Sequence, residues 1–343
     1  MYPLKFHPVF QERIWGGRNL VAVLGRPVPA SLRSRNVGES WELADLPPGS
    51  VGSDSAGAAS DGSLSSTIGN GPLQGHPLRR VLKEHGEEIF GPAKAPTTGY
   101  FPLLIKFLDA RRDLSVQVHP DAAYVKSHPG THLKSEAWYV LAAEPGAKIY
   151  KGVKPGVDAA SFKAALADGT VANLLQTVAV KPGDCHYLAS GTVHALGAGV
   201  LVAEVQTPSD TTFRVFDWNR LGADGKPRKL HVAEALEVIN FGAPAAALPP
   251  HAAAADKHWQ NTPLVHCEYF TLQRRSLASG VEPLPTGRAL VWIVLAGQAL
   301  LQGDNQPITA IAPGETVLLP AKLNNPRVNV VSPLVILEAA LPD

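Results

Sequence analysis

Four residues in the middle of the chain have the types to hold a cation. In "LSVQVHPD" (114–121), Gln117 and His119 stand two apart, so on a strand they share one face with Ser115, while Val116 and Val118 take the other. Downstream, Glu136 opens "EAWYVL", and His194 follows the turn in "PGDCHYLASGTVHALG". Two imidazoles, a carboxylate and an amide oxygen make a four-ligand N/O set for a divalent ion, with room left for water or substrate. A buried polar group without a partner costs roughly 1–3 kcal/mol, so a polar row on an inward face needs an ion or hydrogen bonds. The spacing forms no local signature. Each histidine taken singly is more often a satisfied or surface residue, and His128, His132 and His186 stand nearby as competitors among 12 histidines.

Other residues have the chemistry to work beside such an ion. In "PSDTTFR", Asp210 and Arg214 are four apart, and Arg214 suits a fixed, always-charged donor to an oxyanion or a phosphate. A surface ion pair between the two is the competing reading. Lys134, two residues before Glu136, fits phosphate binding, acid/base work if burial lowers its pKa, or a solvated strand edge. Glu204 in "VAEVQ" reads as a group that orients a ligand, or as a proton carrier.

Short β-branched or aromatic segments must position these residues. "SVQVH", "AWYVLAA", "AKIYKG", "VLVAEVQ", "LVWIVLAG" and "TVLLPA" are punctuated by 31 Gly and 30 Pro, as in a sandwich or barrel. Helical patterning is confined to 78–91, to 158–178 with a break at Gly169, and to 230–240. The Ser/Gly/Asp-rich stretch 49–67 reads as a mobile surface loop. A Pro/Ala connector, 241–257, divides a unit of residues 1–240 from one of 258–343.

A weak internal repeat points to the architecture. "EAWYVLAAEPGAKIYKG" with "VKPGDCHYLASGTVHAL" echoes "LVWIVLAGQALLQGD" with "IAPGETVLLPAKLNNPR". Each pairs a Trp-centred strand with a Pro-Gly-acidic turn leading into another strand. Aligned without gaps, Glu136 falls opposite Leu290 and His194 opposite Asn325. We therefore expect a mainly β protein of two cupin-type jelly-roll barrels with a few added helices, only the first keeping metal ligands.

The bulk numbers exclude several classes. With 31 basic against 30 acidic residues, the chain has no general bias toward nucleic acid or anionic membranes. Two distant cysteines make no disulfide framework and suit a reducing cytosol. No apolar run of membrane-spanning length or signal-peptide core appears, so a cytoplasmic protein is expected, with no membrane partner. "GAG" (197–199) lacks the strand–loop–helix context of a nucleotide site.

"FPLLIKFLDARRDLSVQVHPD", "LKSEAWYVL" and "PGDCHYLASGTVHALGAGVLVAEVQTPSDTTFRVFDWNR", preceded by "RIWGG" (13–17) and "VGESWELAD" (37–45), resemble the class I, zinc-dependent mannose-6-phosphate isomerases in their short bacterial form. The resemblance runs from about residue 3 to about residue 240. It implies interconversion of D-mannose 6-phosphate and D-fructose 6-phosphate, a small-molecule sugar phosphate substrate, and one Zn2+ per chain held by Gln117, His119, Glu136 and His194. It makes Arg214 the active-site arginine, with Lys134, Asp210 and Glu204 as the remaining catalytic candidates. We expect a monomer or weak homodimer. A metal-dependent cupin oxygenase and a non-catalytic sugar-binding cupin regulator are the readings it competes with.

Overall fold

A computed structural model describes residues 1–51, 55–92, 98–222, 225–242, 247–248 and 258–342. The chain is mainly antiparallel sheet, and two of the sheets form a barrel around the candidate residues. One runs in the order Cys185–Leu188, Glu136–Ala143, Val200–Gln206, Leu104–Ala110, Val9–Gly17, Val37–Leu43. The facing sheet runs Leu175–Ala179, Lys148–Val153, His194–Leu196, Val116–Val118, Phe213–Phe216. Trp138, Val140, Leu108, Val200 and Val202 of the first sheet pack inside the barrel against Ile149 and Leu196 of the second.

The apolar runs look continuous because both faces of these strands are buried. From Glu136–Ala143, Trp138 and Val140 point into the barrel, while Ala137 and Tyr139 join a second core outside it. That outer core also takes Ile105, Phe107, Leu201 and Ala203, the helix Leu78–Phe90, and Val291, Ile293 and Leu337 of the C-terminal sheet. Val116 and Val118 answer the question posed by their strand. They face outward under Phe162 and Ala165 of the helix Ala159–Ala167 and Ala235 and Val238 of the helix Val232–Val238. Gln117 and His119 are left to the interior.

The C-terminal sheet is built on Leu290–Gln302 and Arg327–Ala340, with Leu4–Lys5 from the N-terminal end pairing to Val317 and Leu318. Its own interior is filled by Trp259, Trp292, Leu319 and Ile336. The repeat read from sequence is present bond for bond. Gly183 N–H donates to Val140 O and Gly314 N–H to Val294 O, each at 2.9 Å, and both glycines have positive φ (93° and 80°). Val140 N–H returns to Asp184 O, as Val294 N–H does to Glu315 O, again at 2.9 Å. Glycine is required there because a side chain strains at such φ.

The helix read at 78–91 spans Leu78–Phe90. The segment 158–178, read as two short helices, breaks at Gly169 (φ 71°), but only Ala159–Ala167 is an α-helix; beyond the glycine come a 3-10 turn, Val171–Leu174, and the strand Leu175–Ala179. The stretch read as a mobile loop is more structured than its composition suggests. Among its described residues, Leu64–Ser65 pairs with Asp45–Leu46, and Val51, Ser63 and Leu64 are buried. Most of the 241–257 connector lies outside the described residues.

Candidate active site

Neighbouring strands bring the ligand candidates together by register. His194 lies opposite Gln117, and Gln117 opposite Arg214, in one row across the five-stranded sheet. Glu136, at the start of a strand in the facing sheet, reaches across the barrel to them. His194 Nε2 is 3.1 Å from Glu136 Oε1, His119 Nε2 is 3.4 Å from Glu136 Oε2, and the Gln117 amide is 3.3 Å from His194 Nε2. One ligand atom from each of His119, Glu136 and His194 lies within 4.8 Å of the others, and all three residues are buried.

The protonation pattern fits a cation. His194 Nδ1 stands 2.8 Å from Thr192 O, and His119 Nδ1 stands 3.0 Å from Thr211 O. A carbonyl can only accept, so both Nδ1 atoms donate, and in the neutral ring the Nε2 atom is then the one that turns a lone pair inward. Burial, followed by the charge of Lys134, pushes the His119 pKa down to about 3, keeping its imidazole neutral. The two Nε2 atoms and the Glu136 carboxylate therefore converge as acceptors, with the Gln117 amide and the Lys134 ammonium beside them. Among the described residues, His119 Nε2 and both Glu136 oxygens are buried without a hydrogen bond. The Gln117 amide can turn its oxygen to the same point, completing the four-ligand set.

Lys134 is not the solvated edge residue considered from sequence. It is 4% exposed, with Nζ 3.0 Å from Glu136 Oε2. Burial alone would lower its pKa, but Glu136, Glu204 and Asp210 outweigh it and raise the pKa, so the ammonium stays charged. The charge of Lys134 likewise holds Glu136 well below the usual carboxylate range, against the effect of burial.

A cavity of about 820 Å³ opens from Gln117 and Lys134 to the surface. Its walls include Glu39, Lys106, Glu204, Asp210, Arg214 and Arg228. Asp210 and Arg214 do not pair. Asp210 Oδ1 lies 3.6 Å from Lys106 Nζ, while Arg214 donates from Nε to Ser115 Oγ (3.3 Å) and from Nη1 to Lys229 O (3.0 Å). Glu204 Oε2 accepts from Trp138 Nε1 at 2.8 Å, and burial followed by the charge of Glu136 raises its pKa. His128, which stacks on Tyr124, His132 and His186 are half-buried, and none of them belongs to the cluster.

The sequence reading passed over Lys106, whose Nζ also lies 3.9 Å from Glu39, 3.8 Å from Glu204 and 4.5 Å over the Trp41 ring. Its signal was present: a lysine inside the apolar run "LLIKFL", at the parity that points into the barrel. Glu39 and Arg228 were missed as well.

Comparison with known proteins follows the same lines. The family model for the catalytic domain of type I phosphomannose isomerase matches residues 3–149. A mannose-6-phosphate isomerase of Streptococcus mutans is 35% identical over 93% of this chain and 92% of its own length. One from Bacillus subtilis is 35% identical over 93% of both chains. The crystal structure of a Bacillus subtilis mannose 6-phosphate isomerase superposes with a TM-score of 0.84 at 29% identity, covering 99% of this chain and 100% of that one. The mainly β, cupin-type architecture expected from the sequence is thereby borne out. By its sequence and by its fold, the chain belongs to the type I phosphomannose isomerase family.

Proposed function

We propose that this chain interconverts D-mannose 6-phosphate and D-fructose 6-phosphate, with Gln117, His119, Glu136 and His194 holding one divalent ion, zinc by preference. The observation that carries the reading is the convergence of the buried His119, Glu136 and His194 ligand atoms beside an open cavity, a set that suits a divalent cation. N/O ligation of this kind suits zinc among other divalent metals. The bound ion would supply Lewis-acid stabilisation to the oxygens on C1 and C2 of the open-chain sugar.

The chain's own groups do the rest. Moving a carbonyl from C1 to C2 takes a proton off the adjacent carbon and returns it on the same face through a cis-enediol. Among the carboxylates at the site, Glu136 is committed to the cluster, Glu204 to Trp138, and Glu39 to Arg13 and Trp41. Asp210 faces the open space, so we assign it the proton transfer, with Lys106 orienting it. Lys134, fixed as a cation beside Glu136, donates to substrate oxygens and restrains the ligand. Arg214 supplies a permanent positive charge facing the developing oxyanion. Glu204 acts through its neighbours, holding Trp138 and Lys106.

We place the catalytic unit in residues 1–240 and read 258–343 as a scaffold barrel, with 241–257 joining them, in a cytoplasmic monomer or weak dimer. No helix among the described residues is long and apolar enough to cross a membrane. A coupled isomerase assay on mannose 6-phosphate tests the reading. Activity should fall on chelation and return with zinc; full turnover by metal-free protein rejects it. No feature of the described residues favours an oxygenase or a binding-only regulator.

A further inference from the structure

The Ser/Gly/Asp-rich stretch, whose composition reads as a mobile surface loop, stands against the cavity as a built unit. In its described residues, 49–51 and 55–65, Gly49 N–H donates to Asp61 O at 2.8 Å, Val51 N–H to Gly62 O at 3.0 Å and Ala59 N–H to Ser63 O at 2.8 Å. Val51 and Leu64 are buried in one cluster with Trp41, Leu46 and Leu104, and Val9 and Ala58 pack on its edge. Lys106 Nζ lies 4.5 Å over the ring of the same Trp41. The unit therefore buttresses the indole on which a cavity lysine rests.

Two side chains from elsewhere hold the unit in place. Gln11, only 1% exposed, spends its whole amide on one residue: Nε2 donates to Ala56 O at 3.0 Å, and Oε1 accepts from Ala56 N–H at 2.8 Å. A two-bond clip of this kind fixes both position and orientation. Gln11 stands opposite Glu39 in strand register, so the clip lies beside a cavity carboxylate. On the other flank Ser50 Oγ is 3.4 Å from His132 Nε2, two residues before Lys134. A Cβ added at Gly57 would stand 3.1 Å from Val9 Cγ1, so the segment sits close on its strand. Next to the clipped Ala56 is Ser55, half-buried, which lines the cavity with Glu12, Arg13 and Glu39. Surface loops are ordinarily the mobile parts of a fold, and ordering one costs backbone entropy. Here that cost is met where the segment meets the active-site space.

Resting on the isomerase reading above, we propose that Ser55 is a specificity-determining residue, the end of a fixed wall that limits how long an acyclic sugar phosphate the cavity accepts, and that Gln11 is its positioning residue. The metal ligands and Ser55 bound the cavity from different sides. Gln117 and Glu136 hold one side, while Ser55 rests on the strand Val9–Gly17, at the far part of the six-stranded sheet from Glu136. A sugar anchored at C1 and C2 by the ion extends away from it, and a wall clipped by two hydrogen bonds does not yield to an added carbon. Packed protein groups resist overfilling, and one methylene at a fitted wall is worth about tenfold or more in discrimination.

The test measures binding of unreactive alditol phosphates with four, six and seven carbons to metal-loaded protein, by calorimetry and as competitive inhibitors of the isomerase. Wild type should bind the six-carbon compound about tenfold or more tighter than the seven-carbon one. Ser55→Phe should weaken the six-carbon compound by about tenfold or more and the four-carbon compound by less than about threefold. Gln11→Ala should narrow the gap between six and seven carbons by about threefold or more, because the wall is no longer clipped. Gln11→Glu, which still accepts from Ala56 N–H, should keep part of the gap. Ser60→Phe, the same change at an exposed position of the same unit, should leave every affinity as in wild type. A purely structural role for Gln11 would lower the denaturation midpoint and leave the length preference of the folded protein intact. If Gln11→Ala does not fold, Ser55→Phe against Ser60→Phe decides. Wild type that binds the compounds, with folded variants acting alike at every length, overturns this proposal alone. Wild type that binds none of them overturns the isomerase reading with it.

Discussion

Single residues in the cluster separate metal binding from turnover. His119→Ala removes one converging lone pair and leaves Glu136 with only His194 and Lys134, so both bound metal, measured by elemental analysis, and turnover should be lost. Arg214→Ala and Asp210→Asn lie outside the converging atoms; each should keep a full equivalent of metal while turnover falls about a hundredfold or more, as expected for groups acting on the reacting carbons. Glu204→Gln is the informative contrast. An amide oxygen can still accept from Trp138 Nε1, so a residue that only holds its neighbours should lose less than about tenfold in kcat. A loss as deep as that of Asp210→Asn would make Glu204 the proton carrier instead. The ligand residues were legible because chemistry restricts their types and strand parity restricts their faces. Arg228 was not, since its partner Asp217 lies 11 residues away across a turn whose two positive-φ residues no propensity foretells.

Strand Val37–Leu43 shows what an element does with charges it buries on both faces. Glu39 points into the cavity, where Arg13 and Lys106 outweigh burial and hold its pKa down to about 2; Glu42, on the other face, is pushed up to about 7 by burial despite Arg26 Nη2 at 2.5 Å. The two act on stability in opposite senses. The depressed pKa of Glu39 stabilises the fold above 4.5, its unfolded value, and that contribution is lost as pH falls from there toward 2. The raised pKa of Glu42 does the reverse. Between pH 4.5 and about 7 the folded chain keeps a proton that the unfolded chain has released, so stability from this group falls as pH rises. Denaturant midpoints across that window should decline less steeply in Glu42→Gln than in wild type. The difference should approach about 1.4 kcal/mol per pH unit, the value for one linked proton; parallel profiles would show that Glu42 is ionised throughout. The strand itself was legible in "VGESWEL", but the partner of each carboxylate depends on tertiary contacts. Short elements escaped for a related reason: Ala122–Ser127 is six residues long, too few for helical periodicity, and is fixed by Asp121 accepting from Tyr124 N–H.

Across the whole molecule, one scaffold is used twice. Trp138 and Glu204 lie opposite each other on adjacent strands, and the indole donates to the carboxylate at 2.8 Å; Trp292 and Glu338 repeat the register and the distance in the C-terminal barrel. The tryptophan–glutamate clamp therefore belongs to the architecture, which supports reading Glu204 as a holding residue. What differs is what the clamp faces. In the first barrel the space beside it is open and polar, whereas in the second Arg275 and Gln273 fill it and bind Glu338 directly, at 2.9 and 2.6 Å. The repeat was legible at Trp138/Trp292 and at the two Pro-Gly turns, because a fixed φ and a large buried ring leave strong marks in sequence. The plugging of the second barrel was not, since Arg275 and Gln273 lie in "TLQRRSL", which alternates like any half-exposed strand. If the second barrel is scaffold alone, its failure must reach the enzyme only through stability. Glu338→Ala leaves Trp292 Nε1 without its acceptor and takes the carboxylate away from the buried guanidinium of Arg275, and breaking such a network from one side costs about 3–5 kcal/mol. We expect a correspondingly lower denaturation midpoint, yet metal content and KM per folded molecule equal to wild type at low temperature. A folded Glu338→Ala protein with altered KM would instead show that the two barrels communicate through the apolar core their outer faces share.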